Sequence, residues 1–149
     1  MVLKIISAFD DGLNEIVLPV RGLLRQLTDD DEAVDDFSVE TLKRTLVGQK
    51  AHIVTLWTDN KKTLVGIGML TVRQHMLRKV AHIDEVVVDE AYRGRGFGKT
   101  IVGALIDLAR SASVHHIDLS TRSHRFAAIG LYKSLGFQKS ETNCFRLHL

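Results

Sequence analysis

The sequence predicts one α/β domain over residues 1–149, with a mixed, mostly antiparallel, twisted sheet of about seven strands flanked by about four helices. Apolar residues alternate in seven short segments and recur at helical spacing in four longer ones. Helices between the central strands require crossovers and some parallel pairing, whereas the terminal hairpins require antiparallel pairing. A length of 149 residues suffices for one substantial core but not for two.

The first part of the chain is expected to form a strand and two helices. Residues 3–9 alternate loosely, and the apolar stripe that begins at Leu13 predicts a helix. Pro19 lacks a backbone donor, so we expect this helix to kink or restart there. Residues 28–36 contain six carboxylates and no cation, which favours a solvated loop or helix end; the alternative is an acidic lip that attracts a cationic substrate. Ser38 then caps a short helix.

The rest of the chain alternates between strands and helices. Gly66 and Gly68 lie inside a predicted strand, which indicates a bulge or a close approach by another group. Gly136 is a natural C-terminal helix cap, and Phe145 and Leu147 alternate with polar residues as in a strand. The expected elements are strands at 51–57, 63–72, 80–88 and 116–121, a helix at 99–112, a helix ended by Gly136, and a closing hairpin at 137–149.

Composition excludes several classes of protein. Twenty Lys and Arg against 18 Asp and Glu leave a net charge of +2, which is weak for a duplex-binding module, so nucleic acid is not an expected partner. The lone Cys144 cannot form an internal disulfide, and the apolar run at the N-terminus is too short for a signal peptide or a membrane span. We therefore expect a cytoplasmic protein with no membrane partner. The seven His show no ligand spacing, so no metal site is expected.

The most informative segment is residues 86–100 (VVVDEAYRGRGFGKT), in which a buried strand leads through a loop with three alternate glycines into a helix. Such a junction directs several backbone N–H groups at one spot, and glycines let a large anion approach the backbone. Arg93, Arg95 and Lys99 add positive charge. The segment therefore predicts a phosphate-binding site.

Spacing separates three phosphate-binding patterns. The dinucleotide fingerprint fails because Lys99 stands where its last glycine is required, and the P-loop pattern fails because Arg93 stands at its first glycine, although Gly98, Lys99 and Thr100 match its end. The pattern R-x-x-G-x-G is matched by Arg93, Gly96 and Gly98.

This segment resembles the acetyl-CoA pyrophosphate loop of the GNAT superfamily of N-acetyltransferases. Residues 127–137 (AAIGLYKSLGF) resemble the later signature of that superfamily, A-x-x-L-Y followed by G-F, and the likeness covers nearly the whole chain. The resemblance implies a GNAT-like fold, acetyl-CoA as co-substrate without a metal, and direct attack by a primary amine. The cofactor-binding residues that it implies are Val86, Val87, Val88, Arg93, Gly94, Arg95, Gly96, Phe97, Gly98, Lys99 and Thr100.

The resemblance also points to catalytic residues. A lysine-like amine has a pKa of about 10.4 and attacks only as the free base, so the site needs a proton acceptor. Tyr132 stands where the superfamily places the acid that protonates the departing thiolate. His82, Asp84 and Glu85 are candidate bases; alternation along the strand is expected to put Glu85 on the face opposite the other two. We favour Glu85 and then Asp84, with an ion-pairing role as the alternative for either.

The sequence departs from the family pattern at two positions. Arg125 replaces an asparagine found in many relatives, so a contact to the pantetheine arm is lost or replaced by a contact to a phosphate of the cofactor. Ser120 replaces a glutamate of the ribosomal-protein acetyltransferases, which weakens assignment to that subgroup. Alternatives to the enzyme are a regulatory module that binds acetyl-CoA without catalysis and, less favoured, a P-loop nucleotide-binding protein.

The acceptor is expected to be a small-molecule or peptide amine. Its choice would fall to residues 13–47 and to the loop at 73–79, and the acidic run hints at a cationic acceptor such as a polyamine, an aminoglycoside or a lysine-rich peptide. A homodimer that pairs through the exposed edge of the terminal hairpin is a further expectation.

Overall fold

A five-stranded sheet in the order β1-β2-β3-β4-β5 organises the computed structural model, which describes residues 1–148. Neighbouring strands are antiparallel except β4 and β5, which are parallel and are joined through a long helix. The strands are β1 (Val2–Ile6), β2 (Ala51–Trp57), β3 (Leu64–Gln74), β4 (Lys79–Val88) and β5 (Ile117–Leu119). The helices are α1 (Leu13–Leu24), α2 (Asp31–Asp36), α3 (Val39–Gly48), α4 (Phe97–Ser111) and α5 (Phe126–Ser134), with a 3-10 turn at Glu90–Tyr92. The mixed, mostly antiparallel sheet predicted above is confirmed.

The two faces of the sheet carry different helices. The largest core cluster joins α4 to strands β2, β3 and β4, with Ile101, Val102 and Leu105 fully buried. On the other face, Val20 and Leu23 of α1 pack against strands β3 and β4. Leu42 and Leu46 of α3 pack with Ile6 of β1 and Leu13 of α1. Burial of side chains of this size contributes about 1.5–3 kcal/mol each to folding.

Gly66 and Gly68 allow α4 to lie close against the sheet, as predicted from their position inside a strand. A Cβ atom at Gly66 would stand 2.7 Å from Ile101 Cδ1, and one at Gly68 would stand 2.8 Å from Ile101 Cγ2 and 2.9 Å from Leu105 Cδ1. These distances are too short for carbon atoms, so the two glycines set the distance between the helix and the strand.

The N-terminal helices differ in detail from the expectations. Helix α1 continues through Pro19 from Leu13 to Leu24 without restarting. The acidic run forms the short helix α2, which Asp30 caps by accepting a hydrogen bond from the Ala33 N–H at 3.0 Å. Its acidic side chains lie mostly in solvent and Asp35 pairs with Arg25, in agreement with the solvated helix end.

The predicted C-terminal hairpin is wrong for the residues that the structure describes. Residues 137–148 contain no strand, and Phe145 and Leu147 are 90% and 83% exposed. Alternation alone does not produce a strand, because a strand also needs a partner ladder, and β5, the strand at that edge, has only three residues. Leu149, the last residue of the predicted hairpin, lies outside the described residues. The sheet therefore has five strands rather than about seven, and the edge on which a homodimer was expected is not formed.

Within residues 1–148, none of the helices is long and apolar enough to cross a membrane.

Candidate active site

A cleft opens where β4 and β5 separate. The two strands pair through only three residue pairs, the last of which is Ile83 with Leu119, whereas β4 continues to Val88. Among the residues that the structure describes, no strand therefore pairs with β4 beyond Ile83 on the side where β5 lies. An extended ligand can form backbone hydrogen bonds with such a free strand edge. The cleft has a volume of about 540 Å³. Its lining includes Gln26, Leu27, residues 83–88, Arg93, Ser120, Thr121, residues 124–128 and Tyr132.

The glycine loop forms one end of this region. Gly94 and Gly96 have φ angles of +76° and +81°, which residues with a Cβ rarely adopt. Gly96 is the N-cap of α4, and the first helical hydrogen bond runs from the Thr100 N–H to its carbonyl at 3.2 Å. The N–H groups that precede Thr100 at this helix start thus have no helical acceptor and point outward with the positive end of the helix dipole. This arrangement suits a phosphate group.

The third glycine and the phenylalanine of the loop have packing roles. A Cβ at Gly98 would stand 3.1 Å from Leu131 Cδ2, so this glycine lets the start of α4 lie against α5. The Phe97 side chain is half-buried and packs against the large core cluster. Lys99 and Thr100 are exposed at the start of the helix, and Thr100 Oγ1 donates a hydrogen bond to the Gly96 carbonyl at 3.5 Å.

Two of the cations predicted for phosphate binding are held by the protein itself. Arg93 Nε donates a hydrogen bond to the Val88 carbonyl at 2.9 Å, and its Nη2 donates to Gln26 Oε1 at 3.1 Å. Arg95 Nη2 donates to the Ala91 carbonyl at 3.2 Å. These bonds orient the side chains and leave their positive charge beside the loop.

Gln26 is a functional candidate that sequence reasoning missed. Besides its bond with Arg93, its Oε1 accepts from the Glu90 N–H at 2.9 Å and its Nε2 donates to Asp89 Oδ2 at 3.1 Å. Gln26 follows the end of α1 and lies more than 60 positions before the loop that it contacts. No local pattern marks such a residue; only the three bonds to the loop identify it.

A β-bulge places Glu85 on an unexpected side of β4. Ile67 pairs with Val87 and Met69 pairs with Asp84, so Gly68 alone stands opposite two residues, Glu85 and Val86. Glu85 has a φ of +53°, in the left-handed region. The prediction that alternation puts Glu85 on the face opposite Asp84 is therefore wrong, because the bulge interrupts the alternation. Ile83, before the bulge, packs toward α4. Val86, after the bulge, also packs toward α4.

Two cavities meet at Glu85. It lines the cleft beside β5 and also a second cavity of about 240 Å³ between α1, α3 and the sheet. One side of Glu85 is open to solvent, yet burial raises the pKa of its carboxyl above the ordinary value, and the negative charge of Asp84 raises it further. Asp84 lines the cleft too, and its Oδ1 lies 3.3 Å from His82 Nε2. Glu85 is thus the best placed of the three candidate bases, since it alone lines both cavities.

Tyr132 lies on the opposite wall of the cleft. Its half-buried ring contacts Phe137 edge-on, with 5.9 Å between centroids. Burial raises the pKa of the Tyr132 hydroxyl, and the positive charge of Arg125 partly opposes that rise. The hydroxyl is therefore protonated at neutral pH and can donate a proton.

Arg125 links the cleft to the end of α1. Its Nη2 donates to the Leu27 carbonyl at 2.7 Å, so the guanidinium is anchored one residue beyond Gln26. Cys144 is exposed and lies outside both cavities. In the part of the chain that the structure describes, no group of three or more His, Cys, Asp or Glu side chains is arranged to hold a metal ion.

Comparison with known proteins agrees with this geometry. Residues 21–137 match the model of the acetyltransferase (GNAT) family. The chain is 32% identical over 91 residues to N-acetyltransferase 8B of Homo sapiens, covering 60% of this chain and 40% of that protein. It is 32% identical over 98 residues to glucosamine 6-phosphate N-acetyltransferase of Trypanosoma brucei brucei, covering 62% and 65% respectively. The matched parts thus span less than two thirds of either relative.

A solved structure shares the whole fold. The crystal structure of an acetyltransferase from Trypanosoma brucei superposes with a TM-score of 0.80 at 23% identity and covers 99% of each chain. The family match extends over most of the sequence and includes both the glycine loop and Tyr132. The chain belongs to the acetyltransferase (GNAT) family.

Proposed function

We propose that this protein transfers an acetyl group from acetyl-CoA to a primary amine by direct attack of the amine nitrogen. The observation that carries the proposal is that one cleft is lined by a free strand edge, by Arg93 at the start of the glycine loop and by Tyr132, and shares Glu85 with a second cavity. A donor that holds its acetyl group as a thioester supplies an activated carbonyl. Family membership supports the same reaction class.

The residues of the chain fit the donor at two places. The helix start and the cations of the loop suit a pyrophosphate, and the unpaired edge of β4 suits an extended amide-containing arm. The Val88 carbonyl already accepts from Arg93, so the arm would pair with the edge nearer Val86. Arg125 replaces the usual asparagine but is anchored to the Leu27 carbonyl, and in this proposal it forms a wall of the cleft.

Two side chains transfer protons in the proposed reaction. Glu85 is the base: its carboxylate, at the junction of the cavities, accepts the proton that the acceptor nitrogen must lose. Its raised pKa makes that carboxylate a stronger base than an ordinary one. Tyr132 is the acid: its hydroxyl is protonated at neutral pH and donates its proton to the sulfur that leaves as the carbon–sulfur bond breaks and the carbon–nitrogen bond forms. One proton is taken up and one is released, so the charges balance.

The test compares ligand binding with turnover. Acetyl-CoA should raise the melting temperature of the protein, whereas Mg-ATP should not, and thiol release should appear on addition of amines. Stabilisation by Mg-ATP alone would refute the proposal, and stabilisation by acetyl-CoA without turnover would favour a regulatory binding module.

Two variants test the role of Tyr132 as the proton donor. Tyr132→Phe should lower kcat by about 10²-fold or more, the usual contribution of a positioned proton donor, without weakening acetyl-CoA binding. Tyr92→Phe is the matched control, because Tyr92 is the other tyrosine of the chain. Its contact with Arg95, whose Cζ lies 5.5 Å from the centroid of the Tyr92 ring, is made through the ring. Equal losses in both variants would contradict the assignment of Tyr132.

A further inference from the structure

The second cavity contains one ionisable group. Its lining comes from α1, α3 and strands β2, β3 and β4, and Glu85 is the only acidic or basic side chain on it among residues 1–148. The apolar lining residues are Ile16, Val20, Leu24, Phe37, Leu42, Ile53, Ile67 and Met69. None of the acidic side chains of the 28–36 run belongs to this lining.

The hydroxyl groups of the cavity are already engaged within the protein. Thr45 Oγ1 donates to the Thr41 carbonyl at 3.0 Å. Thr55 Oγ1 donates to the Lys4 carbonyl at 3.2 Å and accepts from Trp57 Nε1 at 3.0 Å. Thr41 Oγ1 lies 3.1 Å from Ser38 Oγ, so each of the three threonine hydroxyls on the lining has a partner within the protein. Gln49 supplies a neutral polar group at the edge.

A second charge on a ligand would find no partner here. Transfer of an unpaired charge from water into an apolar environment is strongly unfavourable, so a phosphate, a carboxylate or a second ammonium group on the acceptor would oppose binding. The volume of about 240 Å³ is below the roughly 300–1,000 Å³ of pockets for drug-sized ligands. Size and charge therefore select against sugar phosphates, polyamines and lysine-rich peptides.

We propose that the acceptor is a small primary amine with an uncharged, largely apolar body, whose nitrogen lies at Glu85 while its body fills the cavity between α1 and α3. This inference rests on the proposed acetyl transfer and specifies its acceptor. It also replaces the polycationic acceptor suggested by the acidic run, since that run lies outside the cavity.

Competing amines provide the first test. Thiol release from acetyl-CoA is measured with 2-phenylethylamine and hexylamine, and in parallel with spermidine, glucosamine 6-phosphate and a lysine-containing peptide. The apolar amines should have a kcat/KM at least about tenfold higher, the discrimination that pocket contacts typically supply. Higher kcat/KM values for any of the charged acceptors would overturn the inference while leaving acetyl transfer intact.

A filled cavity provides the second test. Leu24→Trp adds bulk to the lining, whereas Leu18→Trp makes the same substitution on the same helix at a side chain that is 72% exposed and outside the cavity. Leu24→Trp should raise the KM for the apolar amines at least about fivefold, on the scale of 1–3 kcal/mol for such pocket changes, and leave the KM for acetyl-CoA unchanged. Ile16→Phe, at a half-buried lining residue, repeats the test if Leu24→Trp fails to fold. Amine KM values equal to those of Leu18→Trp would overturn the inference.

Binding without turnover separates the two proposals. If acetyl-CoA binds but no amine of either group releases thiol, the proposed function fails. The ligand preference of the cavity is then decided by melting temperature in the presence of each amine: the cavity stands as a site for apolar amines if they stabilise the protein and Leu24→Trp removes that effect, and that assignment is refuted if they do not.

Discussion

Substitution of Gly68 by alanine should loosen the packing of α4 on the sheet and weaken donor binding together. The added Cβ would lie 2.8 Å from Ile101 Cγ2 and 2.9 Å from Leu105 Cδ1, and both of these side chains are fully buried. Gly68 also stands opposite the bulge, with Val86 Cγ2 at 3.6 Å from the same position. The helix that must shift is the one whose start forms the glycine loop.

The magnitude follows from two opposing effects. Overpacking of a close-packed core costs about 1–3 kcal/mol, whereas replacing glycine by alanine restricts the unfolded chain and returns about 0.4–1 kcal/mol. The free energy of unfolding should therefore fall by about 0.5–2 kcal/mol, which for a chain of this size lowers the melting temperature by roughly 2–6 °C. The KM for acetyl-CoA should rise as the loop moves with α4.

Gly103→Ala is the matched control. Gly103 lies in α4, and a Cβ there would meet nothing within 4 Å. This substitution should therefore raise the free energy of unfolding by about 0.5–1 kcal/mol. Thermal unfolding and the KM for acetyl-CoA are measured for both variants. A Gly68→Ala protein as stable as Gly103→Ala, with an unchanged KM, would show that the glycine does not set the distance between α4 and β3.

Four further predictions concern the cleft. On the acidic side, wild-type kcat/KM should show two ionisations, that of the acceptor amine and that of Glu85, whose pKa is raised; Glu85→Gln should keep only the ionisation of the amine, and a second ionisation that survives there excludes Glu85 as the base. A carboxyl whose pKa is raised by folding stabilises the fold below its unfolded pKa and loses that contribution as the pH rises through the folded value, so Glu85→Gln should melt no lower than wild type at about pH 8. Gln26→Ala removes three hydrogen bonds to the glycine loop and should raise the KM for acetyl-CoA severalfold, while the exposed Gln138→Ala should not; equal KM values would refute the positioning role. Arg125→Gln should move the alkaline limb of kcat/KM to higher pH, because Arg125 lowers the pKa of Tyr132, and a limb that stays in place contradicts that coupling.

Local patterns were sufficient for the parts of the site that depend on consecutive residues. The start of α4 requires glycines at positive φ and free N–H groups, and both needs are met within residues 93–100. Tyr132 could be placed in the same way, since helical spacing and the cap at Gly136 define its helix. The mixed sheet followed from the order of elements, because a helix between two neighbouring strands demands a parallel pair.

The C-terminal segment shows the limit of pattern reasoning. Residues 137–148 have strand-like alternation but no strand, since a hairpin forms only where the sheet offers a ladder to join. The same limit applies to Gln26, whose role arises from bonds across a sequence separation of more than 60 residues. Neither outcome is encoded in neighbouring residues.

The sequence by itself predicted a glycine-rich helix start suited to a phosphate group, a tyrosine on the last helix and a carboxylate on strand β4. Only the tertiary structure decided which way that carboxylate faces. Pairing of Gly68 with both Glu85 and Val86 produces the bulge, and the bulge turns Glu85 to the junction of the cavities. Strand alternation is a local property, whereas a bulge depends on the register with a partner strand that lies elsewhere in the sequence.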